Sequence, residues 1–100
     1  MHQLEIDEEQ LARFCLEHFI RKLSLFGSTL KRTERPDSDV DLLVEFEPIA
    51  TPTLLDMVAM EQALSAFLGG RRVDLRTARD LSRYFRDEVL RTAEVQFARR

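Results

Sequence analysis

Residues 25–46 have the sequence LFGSTLKRTERPDSDVDLLVEF, and this stretch decides the fold. One apolar run ends at Gly27 and Ser28, a basic and polar loop of ten residues follows, and a second apolar run begins near Val40. Asp39 and Asp41 flank Val40, although the start of a strand that is about to be buried is a costly place for two carboxylates. The stretch therefore predicts two strands joined by a polar loop, with something beside the acids that compensates their charge.

The two acids are spaced for one ligand site. Side chains alternate across a strand, so Asp39 and Asp41 point to the same face, while the branched residues between and after them point to the core. Adjacent carboxylates repel each other, and a divalent cation removes that repulsion. Asp74 lies in a later apolar run, where alternation puts it beside the pair if the two strands are neighbours. Carboxylates suit Mg²⁺, and three of them could hold two ions for a phosphoryl displacement. We therefore predict that Asp39, Asp41 and Asp74 bind Mg²⁺ and are the catalytic residues.

Gly27 and Ser28 predict a phosphate-binding turn. Gly27 allows a ligand to come close to the backbone. Ser28 would begin a short helix. Its hydroxyl and the free N–H groups of that first turn would point to where a phosphate could bind, and Lys31 lies one turn further on. We expect Gly27, Ser28 and Lys31 to bind the nucleotide, opposite the metal site. From the residues alone, the pattern indicates metal-dependent chemistry on a phosphorylated ligand.

The remaining patterns predict a small α/β domain. The spacing of apolar residues predicts four helices, over residues 8–19, 28–35, 53–67 and 82–97. Asp7 is expected to cap the first helix and Thr53 the third, which Gly69-Gly70 should stop. Runs rich in branched and aromatic residues predict three strands, over residues 22–26, 40–46 and 71–76. We thus expect the order αβαβαβα, with a small three-stranded mixed sheet covered by helices, in one domain that spans residues 1–100.

Composition excludes several classes of protein. The formal net charge is −3, which argues against a general nucleic-acid binder. No apolar run approaches the roughly 20 residues of a membrane span, and no signal peptide is evident at the acidic start. The single cysteine, Cys15, fits a reducing compartment and a place in the core. His18 has no second histidine or cysteine at ligand spacing, so a zinc site is not expected. We predict a cytoplasmic protein.

The residues that carry chemistry resemble those of a known family. Gly27-Ser28, ten residues, Asp39-Val40-Asp41 and a later strand acid are similar to the motif of the nucleotidyltransferase superfamily that includes DNA polymerase β. ERPDSDVDLLV, residues 34–44, and VDL, residues 73–75, resemble the minimal nucleotidyltransferases in particular. Members of that group often have GSRARG, whereas this chain has GSTLKR and keeps a basic residue at position 31.

The resemblance implies a specific activity. Minimal nucleotidyltransferases are typically encoded beside a HEPN-domain ribonuclease toxin and act as its antitoxin. They use Mg²⁺ and ATP to attach AMP to a tyrosine of that toxin. The resemblance thus implies an adenylyltransferase with Asp39, Asp41 and Asp74 at the metals, working as part of a hetero-oligomer.

Two other functions stay open at the level of sequence. The chain could be an antitoxin that keeps the fold but neutralises its partner by binding alone, in which case ATP with Mg²⁺ would not bind. It could also transfer a nucleotide to a small molecule such as an aminoglycoside, although the chain is too short for a separate acceptor domain. A tyrosine of a partner protein remains the expected acceptor.

Overall fold

The computed structural model describes residues 6–26 and 39–99. Helix α1 spans Glu8–Glu17, strand β1 Ile20–Leu25, strand β2 Val40–Phe46, helix α2 Leu54–Phe67 and strand β3 Val73–Arg76. A short 3₁₀ turn at Ala78–Asp80, helix α3 over Arg86–Thr92 and strand β4 over Glu94–Ala98 complete the described chain. The predicted helix over residues 28–35 lies outside the described residues.

The four described strands form one mixed sheet in the order β3-β2-β1-β4. β1 pairs antiparallel with both β2 and β4, and β2 pairs parallel with β3. The parallel crossover runs through α2, as a βαβ connection requires. Val40 N–H donates to the Arg72 carbonyl at 2.8 Å, which fixes the beginning of this parallel pair.

Local chemistry explains where the two longer helices begin and end. The Asp7 side chain accepts a hydrogen bond from the Gln10 N–H and caps α1. Thr53 and Asp56 form a capping box at the start of α2. After α2 the chain turns through Gly69 and Gly70, whose φ angles of 70° and 87° favour glycine. The predicted caps and the predicted glycine stop are therefore confirmed.

The main core lies between one sheet face and the helices α1 and α2. Leu23 and Leu25 of β1, Leu42 of β2 and Leu64 of α2 are fully buried there. Phe26, Leu43 and Leu81 form a smaller apolar cluster on the other face, packed against α3. That same second face carries the acids, because Asp41 alternates with Val40 and Leu42 along β2.

The structure corrects the prediction for the end of the chain. The predicted three-stranded sheet has four described strands, and the predicted helix over residues 82–97 is only the short α3 followed by β4. Phe97 lies beside Leu23 across the β1–β4 pair and packs against the main core. Pairing with the otherwise open edge of β1 satisfies backbone groups that a longer helix would leave unpaired.

α2, with 14 residues, is the longest helix that the structure describes. This is shorter than the roughly 20 residues that cross a bilayer. No helix within residues 6–26 and 39–99 is a candidate membrane span.

Candidate functional site

The acids meet at the start of the parallel strand pair. Asp41 of β2 and Asp74 of β3 are direct lateral partners, so their side chains leave the sheet on the same face. Asp39 precedes β2 by one residue and lines a cleft of about 330 Å³ together with Asp74. The two strands are neighbours, which was the condition for Asp74 to join the pair. The predicted place of Asp74 beside Asp41 is therefore correct, and the binding role of the three acids stays a prediction.

Like charges side by side on neighbouring strands destabilise a sheet, so this arrangement needs compensation. Part of it comes from Arg76, whose Nε donates to Asp74 Oδ2 at 3.1 Å. Both side chains remain partly exposed, at 47% for Arg76 and 40% for Asp74, so the pair is accessible to a ligand. Arg76 therefore supplies one positive charge beside Asp74.

Glu61 is a cleft residue that the sequence did not predict. It projects from α2 into the wall shared with Asp39 and Asp74, and its Oε2 accepts a hydrogen bond from the Leu75 N–H at 2.7 Å. β3 is an edge strand, so an acceptor from α2 satisfies a donor on its open side. Glu61 thus holds β3 at the residue next to Asp74. No local signal could have identified it, because the contact joins residues 14 positions apart.

The three acids form a donor set that fits Mg²⁺ in chemistry. Carboxylate oxygens on one face are the ligands this ion prefers, and the ion usually keeps several waters. Within residues 6–26 and 39–99, however, no group of three potential ligand side chains is already gathered tightly enough to hold a metal. Metal binding at Asp39, Asp41 and Asp74 therefore stays a prediction.

The residue that precedes the predicted phosphate turn lies next to these acids. The Phe26 N–H donates to the Asp41 carbonyl at 3.1 Å, so the chain leaves β1 beside the start of β2. Gly27, Ser28 and Lys31 themselves lie outside the described residues, and their nucleotide-binding role stays a prediction. The structure adds that Phe26, which precedes Gly27, is anchored to the candidate catalytic residue Asp41 by this hydrogen bond.

Cys15 and His18 take no part in this site. Cys15 is fully buried in the main core, and burial raises the pKa of its thiol to about 12. A thiol of that kind is a core residue, as predicted. His18 stacks against Phe14 with ring centroids 4.4 Å apart, beside an opening of about 350 Å³ that also contains Phe19 and Ile49. That opening contains none of the candidate catalytic acids.

Comparison with known proteins identifies the fold. A family model described as polymerase beta, nucleotidyltransferase matches residues 9–100. The protein adenylyltransferase MntA of Thermococcus cleftensis is 46% identical over 56 residues, which are 56% of this chain and 54% of that protein. A proposed protein adenylyltransferase of Methanocaldococcus jannaschii is 33% identical over 86 residues, which are 86% of this chain and 89% of that protein. The chain thus matches about half the length of the first relative and most of the second.

Solved structures share the fold. A proposed minimal nucleotidyltransferase is 40% identical, with a TM-score of 0.63 over 89% of this chain and 95% of that one. A toxin–antitoxin crystal structure with AMP-PNP is 21% identical, with a TM-score of 0.71 over 95% of this chain and 76% of that one. A tri-AMPylated HEPN toxin of Shewanella oneidensis in complex with its MNT antitoxin is 19% identical, with a TM-score of 0.59 over 92% of this chain and 70% of that one. At these identities the last two matches concern the fold alone.

Proposed function

The chain belongs to the polymerase β-type nucleotidyltransferase family, and from that premise we propose that it is a Mg²⁺-dependent protein adenylyltransferase. In this proposal it moves AMP from ATP to a tyrosine of a HEPN-domain toxin and thereby acts as the antitoxin. The observation that carries the proposal is the lateral pairing of Asp41 with Asp74 on an accessible face of the sheet. The names of the relatives support the choice of reaction.

Each candidate residue has a role in this reaction. Gly27, Ser28 and Lys31 would bind the outer phosphates of ATP, beginning at the anchor of Phe26 on Asp41. Asp39, Asp41 and Asp74 would hold Mg²⁺, which when bound supplies positive charge for the phosphates and the leaving oxygen. The whole of residues 1–100 would work as one catalytic domain in the cytoplasm, with no nucleic acid as substrate.

The proposed transfer is a displacement at the α-phosphorus. The tyrosine oxygen forms a bond to that phosphorus, the bond to the oxygen that bridges the α- and β-phosphates breaks, and pyrophosphate leaves. The tyrosine proton passes to the carboxylate of Asp74, whose place on edge strand β3 leaves it reachable by a protein partner. The partner must supply the acceptor in line with the leaving oxygen, since orientation contributes much of the rate in such reactions.

Intact-mass spectrometry of the pair tests the proposal. The chain is co-expressed with a HEPN-domain toxin, once as wild type and once as Asp41→Asn. We expect the toxin to gain one or more AMP units with the wild type and none with the variant. An unmodified toxin in both preparations, with ATP and Mg²⁺ present, would refute the adenylyltransferase.

A second function has one observation in its favour. Asp74 is paired with Arg76 at 3.1 Å, so a cation of the chain itself competes with a metal ion for this carboxylate. This favours an antitoxin that neutralises its partner by binding alone. Toxin that is inhibited by the wild-type chain while it stays unmodified would support this alternative.

A further inference from the structure

Helix α2 exposes apolar residues on its outward side. Leu54 and Leu55 are 81% and 80% exposed, and Val58 is 41% exposed. The exposed residues of α2 are Leu54, Leu55, Asp56, Val58, Ala59, Gln62 and Ala66. Asp56 is the one charged residue among them, and its carboxylate accepts from the Thr53 N–H at 2.8 Å. The outward side of α2 is therefore apolar except for Asp56 at its cap and the uncharged Gln62.

Helix α1 packs on the same sheet face and is the natural comparison. Its exposed residues are Glu8, Glu9, Gln10, Arg13, Leu16 and Glu17, of which four are charged. A surface helix normally places charged and polar residues outward, whereas a helix that is apolar on all sides is normally buried. The composition of α2 thus fits a helix that another surface covers, and contiguous exposed apolar patches often mark such contacts.

The apolar side of α2 continues into the acidic cleft. Val58 and Glu61 line one groove together with Arg72 and Val73. Glu61, Arg72 and Val73 also line the cleft that contains Asp74. A molecule that covers Val58 therefore reaches the wall of the candidate active site within about one helical turn.

We propose that the outward side of α2, formed by Leu54, Leu55 and Val58, is the docking surface for the acceptor protein. The proposal rests on the proposed function, since it requires a protein as acceptor. An apolar patch of the acceptor packs on these side chains, and the adjoining acceptor residue then enters the cleft beside Asp74. A second copy of this chain seated permanently on Val58 would cover that approach, which favours the acceptor protein as the occupant.

This docking surface would position the acceptor protein for the reaction. The incoming hydroxyl must be held in line with the leaving group, and rigid docking of its protein next to the cleft achieves this. Apolar anchors surrounded by polar residues are typical of the centres of protein interfaces. Here the polar surround consists of Asp56, Glu61 and Gln62.

Kinetics with a double variant test the proposal. Leu54→Glu/Leu55→Glu is compared with Leu16→Glu, which places one such charge on α1 at a residue that is 52% exposed. Using a purified HEPN-domain toxin as acceptor, we expect the double variant to raise the KM for toxin at least about tenfold, with kcat unchanged at saturating toxin. The control variant should leave both values unchanged. Calorimetry with AMP-PNP and Mg²⁺ should give the same Kd for all three proteins, which reports an intact nucleotide site.

Direct binding separates this proposal from the proposed function. If the wild type transfers no AMP but the double variant still loses affinity for the toxin, the docking surface stands and the enzyme assignment fails. If wild type and double variant bind the toxin equally, the docking surface is refuted whatever the activity. A wild-type chain that is a dimer without toxin, and that the double variant converts to a monomer with unchanged toxin affinity, would also overturn it in favour of a second copy.

A photoreactive amino acid provides a second measurement in case the double variant folds poorly. Placed at position 55, it should cross-link to the toxin, and placed at position 16 it should not. Cross-linking from position 16 but not from position 55 would overturn the proposal.

Discussion

The two halves of the sheet differ in what they leave exposed. In one half, β1 and β4 pack against α1, whose outward side is charged. In the other half, β2 and β3 pack with α2 and carry two features that are unfavourable in isolation: the neighbouring acids Asp41 and Asp74, and the exposed leucines of α2. Among the residues that the structure describes, the first half has no such pair of acids, and its exposed apolar residues, such as Leu16 at 52% and Val95 at 50%, are less exposed than the leucines of α2.

This difference separates residues that fold the chain from residues that serve a ligand. Adjacent acids and exposed leucines both cost free energy in the isolated chain. A cation at the acids and a protein on α2 would each offset one of these costs. We therefore expect substitutions in the β2–β3 half to change activity more than stability, and substitutions in the β1–β4 half to do the reverse.

The largest expected effect is the loss of transfer in Asp41→Asn. Removing one of three metal-binding carboxylates should lower the rate of AMP transfer about a hundredfold or more. The free energy of unfolding should stay the same or rise, because repulsion with Asp74 is relieved. Glu45→Gln, further along β2 at a side chain that is 59% exposed, is the control and should retain activity. Full activity of Asp41→Asn in a labelled-ATP assay would contradict the assignment of the site.

The second-largest expected effect is a loss of stability caused by a core substitution in the β1–β4 half. Leu23 is fully buried between the sheet and α1, so Leu23→Ala should lower the free energy of unfolding by about 2–5 kcal/mol. The same substitution at Leu54, which is exposed on α2, should cost less than about 0.5 kcal/mol. Urea titration of both variants measures this. Equal losses would mean that α2 is not an exposed helix in solution.

Glu61 should show a smaller, mixed effect. Glu61→Ala leaves the Leu75 N–H without its acceptor and should cost about 1–3 kcal/mol in stability. Because Leu75 follows Asp74, we also expect weaker Mn²⁺ binding, used as a probe for Mg²⁺, and a lower transfer rate. Glu61→Gln keeps an acceptor oxygen and should restore most of both. If Gln fails to restore metal binding while stability recovers, then Glu61 acts on the metal site through its charge and not by positioning β3.

The smallest effects are expected at the helix caps, where the two halves should be equal. Asp7→Ala and Thr53→Ala each remove one side-chain bond to a helix N–H, and each should cost about 0.5–2 kcal/mol.

The hydrogen bond from the Thr53 backbone lowers the pKa of Asp56. This hydrogen bond stabilises the fold fully above pH 3.8, the usual pKa of an aspartate. The stabilisation is lost as the pH falls through the lowered pKa of Asp56. Thermal unfolding at neutral and acidic pH should therefore show the α2 cap weakening in acid. A cost of Asp56→Ala that stays constant across that range would contradict this.

Sequence reasoning was most accurate where local chemistry decides the structure. The strand Val40–Phe46 has the predicted bounds, because a continuous branched and aromatic run follows the acids directly. Asp7, Thr53 and the Gly69–Gly70 turn were predicted from capping rules and are confirmed. The position of Asp74 beside Asp41 also followed, once alternation was combined with neighbouring strands.

Sequence reasoning was wrong where distant residues decide the structure. Val89, Ala93 and Phe97 are spaced four apart and predicted one helical face, yet the helix ends at Thr92. A bulge between Leu23 and Ser24 in the β1–β4 pair brings Phe97 to the core side, and this pairing overrides the local helical pattern. Glu61 was missed for the same reason, since its partner lies on another element. The exposure of α2 was also not predicted, because an apolar sequence predicts burial but does not identify the surface that covers the helix.

The register of β2 against β3 links the stability of the fold to the preservation of the acidic site in evolution. Asp41 faces Asp74 only because Val40 faces Val73, and a slip of one residue would turn Asp74 into the core and Leu75 to solvent. A mutation that shortened or lengthened the connection into β3 would thus threaten stability and the acidic site together, unless the Gly69–Gly70 turn absorbed it. Natural selection on either property therefore preserves the other, and we expect this strand pair to keep its alignment in descendants of this gene.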